Sequence, residues 1–458
     1  MLFNSYSFLF FFLPTVVLLF FSVRNQFFRL LTIITASLIF YGLSGIEHAV
    51  VLSVEIAWVY WITSSPAFVR NPLRLFLCIA PVLLALIHYK YVTFIVADVL
   101  LLKPNDTEEV FDFFANAVLP AGISFFTFQL SSFAIDRYRG QVQEAPTLMI
   151  FAAYISFFPQ LIAGPIVRYH EIKESLGNIG ACRWDVARLS KGISLICFGL
   201  GLKVLLADTL SSAMTQFVAT PDSLSPVSAI YVIFSYSFQI YFDFYGYSLI
   251  AIGLGTIFGF TFPSNFARPY EALNIRDFWR RWHMTLSYWI RDYVYVPIGG
   301  NQHYIRNILI VFLLCGLWHG AGWTFLAWGL YHGLLVVGYH WTAAWWDRMP
   351  ALAQRGFTFI LVSMGWSLFL FDFYGAFDLM RSLVGFSTAE IPPPSPEMWL
   401  YLVVSAITCF VVRPENWSSV VSREGTKVSL LVTVAFAGLM VLVIVFLDRT
   451  QGFIYFRF

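Results

Sequence analysis

Residues 1–29 read MLFNSYSFLFFFLPTVVLLFFSVRNQFFR. The first 23 carry no charged side chain, and Arg24 and Arg29 follow them. A cleavable secretion signal has the opposite order, positive residues before the apolar run. This segment is therefore expected to remain as a spanning helix with its N-terminus outside. About 20 apolar residues cover the hydrocarbon core of a bilayer, and windows of that kind recur at 29–45, 48–64, 74–98, 110–134, 190–207, 227–262, 307–341 in two arms, 355–372, 398–413 and 428–447. A lipid-facing backbone must satisfy its own hydrogen bonds, and strand-length alternation is absent, so helices are the expected solution.

Composition agrees. Of the 458 residues 59% are hydrophobic and 12% charged, against roughly 25% charged in a soluble domain. The expectation is an all-α integral membrane protein of about eleven to thirteen membrane helices plus re-entrant segments, with residues 1–458 forming a single polytopic membrane domain. A net charge of +2, with basic residues dispersed between apolar runs, argues against nucleic acid as a partner and makes membrane lipid the general one. The five cysteines, Cys78, Cys182, Cys197, Cys315 and Cys409, lack the spacing of a zinc or redox site and read as packing residues. No metal site is expected.

Positive residues collect on the cytoplasmic side. Candidate inside loops are Arg24 to Arg29, Arg70 to Arg74, Arg168 to Lys191, Arg268 to Arg306 and Arg413 to Lys427, alternating with acidic loops at Asp106 to Glu109 and Asp208 to Asp222. Alternation fails once, between Arg137/Arg139 and the loop after Arg168. The intervening stretch 147–167, with Phe-Pro-Gln-Leu-Ile-Ala-Gly-Pro at Phe158 to Pro165, is expected to enter and leave on one side, since its prolines interrupt helix hydrogen bonding; the plainer alternative is a kinked spanning helix. No internal repeat is evident, although many transporters are built from repeated halves.

Residues 265–333 hold the densest chemistry and form the expected catalytic core region. Arg268, Arg276, Arg280, Arg281, Arg291 and Arg306 lie among tryptophans and tyrosines. Trp279, Trp282, Leu286, Trp289, Ile290 and Tyr293 recur at helical spacing, which predicts one aromatic helix face carrying His283, with Asp277 four residues before Arg281. The arginines suit either a basic interfacial anchor or a mouth for an anionic ligand, because guanidinium pairs bidentately with phosphate. Arg280, Arg281 and Arg291 are the candidate binding residues. His319 lies thirteen residues past Arg306, about 20 Å along a helix, in Gly316-Leu-Trp-His-Gly-Ala-Gly-Trp323, where glycines are expected to open space between tryptophan walls. An ionisable group at that depth marks a functional site by default. Two other classes stay open on residue chemistry alone. One is a transporter or flippase for a polymer or lipid precursor, with Asp243 as its ion site; the other is a non-catalytic scaffold.

Several segments together resemble a known family. Asn265-Phe-Ala-Arg-Pro-Tyr270, Asp277-Phe-Trp-Arg-Arg-Trp-His283, Arg291-Asp-Tyr-Val-Tyr-Val-Pro-Ile-Gly-Gly-Asn301 and Leu317-Trp-His-Gly-Ala-Gly-Trp323 are similar to the signature of membrane-bound O-acyltransferases, in the bacterial alginate O-acetylation branch. Phe158 to Arg168 and Tyr241-Phe-Asp-Phe-Tyr-Gly-Tyr247 fit the same branch. The resemblance implies a ring of helices around a pinched central tunnel and a place in the bacterial inner membrane. It also implies cytoplasmic acetyl-CoA as donor with no bound cofactor, and O-acetylation of an exopolysaccharide, alginate first, with a periplasmic acetyltransferase subunit as partner. By the same resemblance His319 matches the essential histidine, as general base, and His283 the second one. Tyr455, in Phe453-Ile-Tyr-Phe-Arg-Phe458, matches an outward-facing tyrosine thought to carry the acyl group; the plainer reading of that tail is an aromatic membrane anchor.

Overall fold

The computed structural model describes residues 1–101, 118–162, 164–387, 390–412, 430–449 and 451–454. Among these no strand occurs; the elements are helices joined by short loops. They are α1 (Ser7–Ser22), α2 (Gln26–Gly42), α3 (Ile46–Ser64), α4 (Pro72–Val99), α5 (Ile123–Tyr138), α6 (Leu148–Ser156), α7 (Tyr169–Gly177), α8 (Val186–Ala219) and α9 (Pro226–Ile257). The chain continues with α10 (Ile275–Trp279), α11 (Met284–Ile290), α12 (Tyr304–His319), α13 (Trp323–Trp346), α14 (Ala351–Gly365), α15 (Phe373–Leu383), α16 (Pro396–Val411) and α17 (Leu430–Phe446).

Four described helices, α3, α4, α8 and α9, are long and apolar enough to cross a bilayer. Their burial separates two roles. Only 17% of the apolar window of α4 is buried, against 89% for α9, so α4 turns its apolar side chains outward while α9 is a core helix. Large exposed apolar residues such as Phe11, Leu19, Trp61, Phe76 and Leu84 form a surface that water would disfavour and lipid accepts. The protein is an integral membrane protein. The window 110–134 is described only from residue 118, and 428–447 from residue 430.

The described residues divide into two compact units, which α8 and α9 both traverse. The first holds residues 1–196 and 248–263. Its core is aromatic: Phe8, Phe12, Phe40 and Phe158 pack with ring centroids 5.5–6.2 Å apart, tilted or edge-on as ring quadrupoles prefer. The stretch 147–167 is broken as its prolines require. α6 ends at Ser156, Phe157 leaves the helical region, and a single turn, Phe158–Leu161, follows. The freed N–H of Phe158 is taken by Ser37 Oγ at 3.0 Å. Arg29 is buried, and its guanidinium donates to the carbonyls of Val23, Ile179 and Cys182 at 2.5–2.8 Å, satisfying a charge that burial would otherwise penalise.

The second unit holds residues 197–247 and 264–412, with the described part of 428–458. Its best-packed pair is α12 and α13, an antiparallel hairpin. A Cβ on Gly316 would lie 2.2 Å from the Phe325 carbonyl oxygen, and one on Gly329 2.3 Å from that of Phe312. Gly316, and Gly329 across from it on α13, therefore serve close backbone approach, where open space was expected. Gly320 repeats the point, since its Cβ would meet the Phe325 ring at 2.1 Å. All five cysteines are free, four of them buried and Cys182 half-buried.

Candidate active site

The aromatic face expected on one helix across residues 279–293 is split in two. α10 ends at Trp279, His283 adopts left-handed φ 43° and ψ 53°, and α11 begins at Met284. The break has a local cause. Segment 265–270 runs alongside, its Asn265 carbonyl accepting the Met284 N–H at 2.9 Å and its Ala267 N–H donating to the Arg281 carbonyl at 2.9 Å. Asn265 Oδ1 also accepts from the Thr285 hydroxyl at 2.5 Å. These bonds replace the intrahelical ones and hold His283 in a conformation that costs an L-residue about 1–2 kcal/mol. Tyr270 anchors the same segment by donating to the Ser237 carbonyl of α9 at 2.6 Å and accepting from Trp366 Nε1 at 3.2 Å.

His319 closes α12 as its last residue. The two imidazoles are buried, 1% and 3% exposed, with ring centroids 6.5 Å apart. Phe244 of α9 packs edge-on against His283 at 4.6 Å and Trp318 lies at 5.7 Å. Around His319 stand Trp318 at 4.9 Å, Trp328 at 5.1 Å and Phe369 at 5.2 Å. Both histidines line a cavity of about 680 Å³, within the range that buries a small ligand. It runs from the exposed side chains of Arg280 and Arg291 down past Leu286 and Cys315 to the two rings.

The three arginines singled out in the sequence do not share one position. Arg280 and Arg291 line the cavity. Arg291 also grips Asp292 through two bonds of 2.7 and 3.0 Å. Arg281 does not line it: its Nε donates to Asp277 Oδ1 at 2.8 Å. Arg276 takes that place in the wall, leaning on the Tyr339 ring at 5.4 Å and donating to the Tyr304 hydroxyl at 3.3 Å. Its spacing is the signal that could have found it, four residues before Arg280. His340 was also missed: it lines the cavity from α13, its ring 4.7 Å from that of Tyr304. Asp243, the ion-site candidate of the transporter reading, is paired with Lys203 at 2.5 Å. Tyr455 lies outside the described residues.

Chemically, the arrangement offers cationic groups at the exposed end, an apolar barrel in the middle and two imidazoles at the closed end. That order suits a long ligand with an anionic head and a reactive far end. Residues 18–371 match the model of the membrane-bound O-acyltransferase family. The chain is 34% identical over 434 residues to the peptidoglycan O-acetyltransferase of Helicobacter pylori, covering 85% of this chain and 81% of that protein. It is 36% identical over 381 residues to the probable alginate O-acetylase AlgI of Pseudomonas putida, covering 81% and 77%. The teichoic acid D-alanyltransferase of Bacillus subtilis is more distant, 29% identical over 271 residues, 57% of this chain and 69% of that protein.

Proposed function

The chain belongs to the membrane-bound O-acyltransferase family and is an acyltransferase, and we propose that it passes acetyl groups from cytoplasmic acetyl-CoA across the bacterial inner membrane, as a multi-pass protein, for O-acetylation of an exopolysaccharide. The observation that carries this reading is the cavity that joins exposed Arg280 and Arg291 to the buried pair His283 and His319. Guanidinium groups at its outer end suit the phosphates of CoA, and its apolar length suits the pantetheine arm. The cavity opens in the most arginine-rich loop region of the chain, and that charge supports a cytoplasmic mouth.

In this reading His319 is the general base, a role that fits an imidazole. It takes the proton of the accepting hydroxyl as that oxygen attacks the thioester carbonyl. The C–S bond breaks, the C–O ester bond forms, and the proton passes on to the departing CoA thiolate. His283, held by Asn265 and Thr285 against Phe244, orients the acceptor or the thioester oxygen. Tyr455 is the proposed first acceptor, from which an outward-facing acetyltransferase subunit moves the acetyl group to the polymer. Alginate is the favoured polymer from the Pseudomonas relative's name, and peptidoglycan is the second reading, favoured by the Helicobacter relative's coverage.

The test is to supply isotope-labelled acetyl-CoA to the cytoplasmic face of membrane vesicles containing the protein, and to measure label in the polymer fraction and on the protein. Labelling that requires His319 supports the proposal. A protein that moves unmodified polymer or lipid but leaves the thioester intact is a transporter, and the proposal falls.

A further inference from the structure

Near Phe244 lies a part of the molecule that the reading above does not use. Lys203 in α8 and Asp243 in α9 are brought together because Gly246 allows the helices to touch. A Cβ there would lie 2.7 Å from the Gly199 carbonyl oxygen and 3.2 Å from the Lys203 backbone nitrogen. Residues Gly201–Ala207 of α8 form a π-helical stretch, a local widening often found at functional sites. Lys203 Nζ reaches Asp208 Oδ1 at 2.7 Å and Asp243 Oδ1 at 2.5 Å. All three side chains are buried, at 1%, 4% and 2% exposure.

The trio grips main chain. Lys203 Nζ donates to the carbonyl of Gly452 at 3.3 Å, and the Ile454 N–H donates to Asp243 Oδ2 at 2.7 Å. Between these points Phe453 is fully buried, its ring 4.3 Å from Tyr247 and 6.0 Å from Phe244. Two carboxyl groups share one ammonium in a buried place, and their remaining oxygens need hydrogen-bond donors there. The segment 451–454 supplies them. Withdrawing it would take donors from buried carboxylates, so its release is strongly disfavoured.

We propose that Lys203, Asp208 and Asp243 form a clasp that docks segment 451–454 by its backbone, with Phe453 as the side-chain key, and that they are positioning residues for acyl transfer to Tyr455. The second half of this statement rests on the relay reading of Tyr455 given above; the docking half does not. Phe244 joins the two sites, since the same ring packs against both His283, at 4.6 Å, and Phe453, at 6.0 Å. Because the polar contacts are to main-chain atoms, the clasp is indifferent to most side chains in the docked segment and selective for an aromatic residue at position 453.

The test is hydrogen exchange on the full-length protein in detergent, read by mass spectrometry at the amides of 451–454, in parallel with acetylation. Asp243→Leu removes the acceptor while leaving Lys203 and Asp208 as a neutral pair. Loss of a charge-assisted hydrogen bond is expected to speed exchange in the segment by about 10- to 100-fold and to reduce polymer acetylation, with acetyl-CoA binding unchanged. Ile454→Pro deletes the donor without altering either helix, and is expected to give the same pattern at the remaining amides even if the Leu variant does not fold. Tyr455→Phe should leave exchange at the wild-type rate and abolish acetylation. Unchanged exchange in both clasp variants overturns the proposal. Faster exchange with wild-type acetylation leaves the clasp standing as a docking site and refutes the relay.

Discussion

Replacing His283 by glycine and by alanine separates what its backbone does from what its ring does. Both variants lose the imidazole and its contacts with Phe244 and Trp318, so they leave nearly the same void. They differ at φ 43°, where a Cβ costs about 1–2 kcal/mol and glycine pays nothing. Glycine also makes the unfolded chain freer, which offsets about 0.4–1 kcal/mol of that gain. The net expectation is that His283→Gly is more stable than His283→Ala by about 1 kcal/mol, roughly a fivefold difference in the folding equilibrium. Equilibrium unfolding in mixed micelles measures it, with acetyl transfer followed alongside. Both variants should lose activity to the same extent. An alanine variant as stable as the glycine one would refute the left-handed turn, and with it the account of how Asn265 and Thr285 aim this residue.

Further expectations concern the cavity and the hairpin. His319→Ala should lower acetyl transfer by about 10²–10⁴-fold, the usual worth of a positioned general base, with insertion intact. Arg280→Gln and Arg291→Gln should weaken acetyl-CoA binding in a salt-sensitive way, measured by titration at two ionic strengths, whereas Arg281→Gln, whose partner is Asp277, should bind the donor as wild type does. Gly329→Ala should destabilise the protein by about 1–3 kcal/mol, because its Cβ meets the rigid Phe312 carbonyl, and a thermal unfolding scan will register it.

The helical membrane architecture was legible because hydrophobicity over some 20 residues is a one-dimensional property that the chain displays directly. His319 was legible for the same reason, as an ionisable residue at the end of an apolar run. The split at His283 was not, since the periodicity of Trp279, Trp282, Leu286 and Trp289 continues smoothly through it and only the neighbouring segment from Asn265 to Tyr270 reveals the break. Arg276 and Arg281 are chemically alike. What separates them is the break after Trp279, which leaves Arg276 on α10 and Arg281 in the turn beyond it, and a smooth pattern conceals that break. His340 lies on α13, and only the packing of that helix against α12 brings its ring to Tyr304 and the cavity. The clasp was the least legible of all: Asp243 holds the N–H of a residue 211 positions away, and Lys203 and Asp243 face each other only because Gly246 lets two helices meet.

The most direct test of the central claim is single-turnover release of the CoA thiol from acetyl-CoA by the purified protein, followed with a thiol reagent, in the wild type and in His319→Ala. The account predicts one rapid equivalent of thiol from the wild type, matched by one acetyl group gained by the protein, and neither from the variant. Equal thiol release by the two proteins, or none from either in the presence of acceptor, would contradict it.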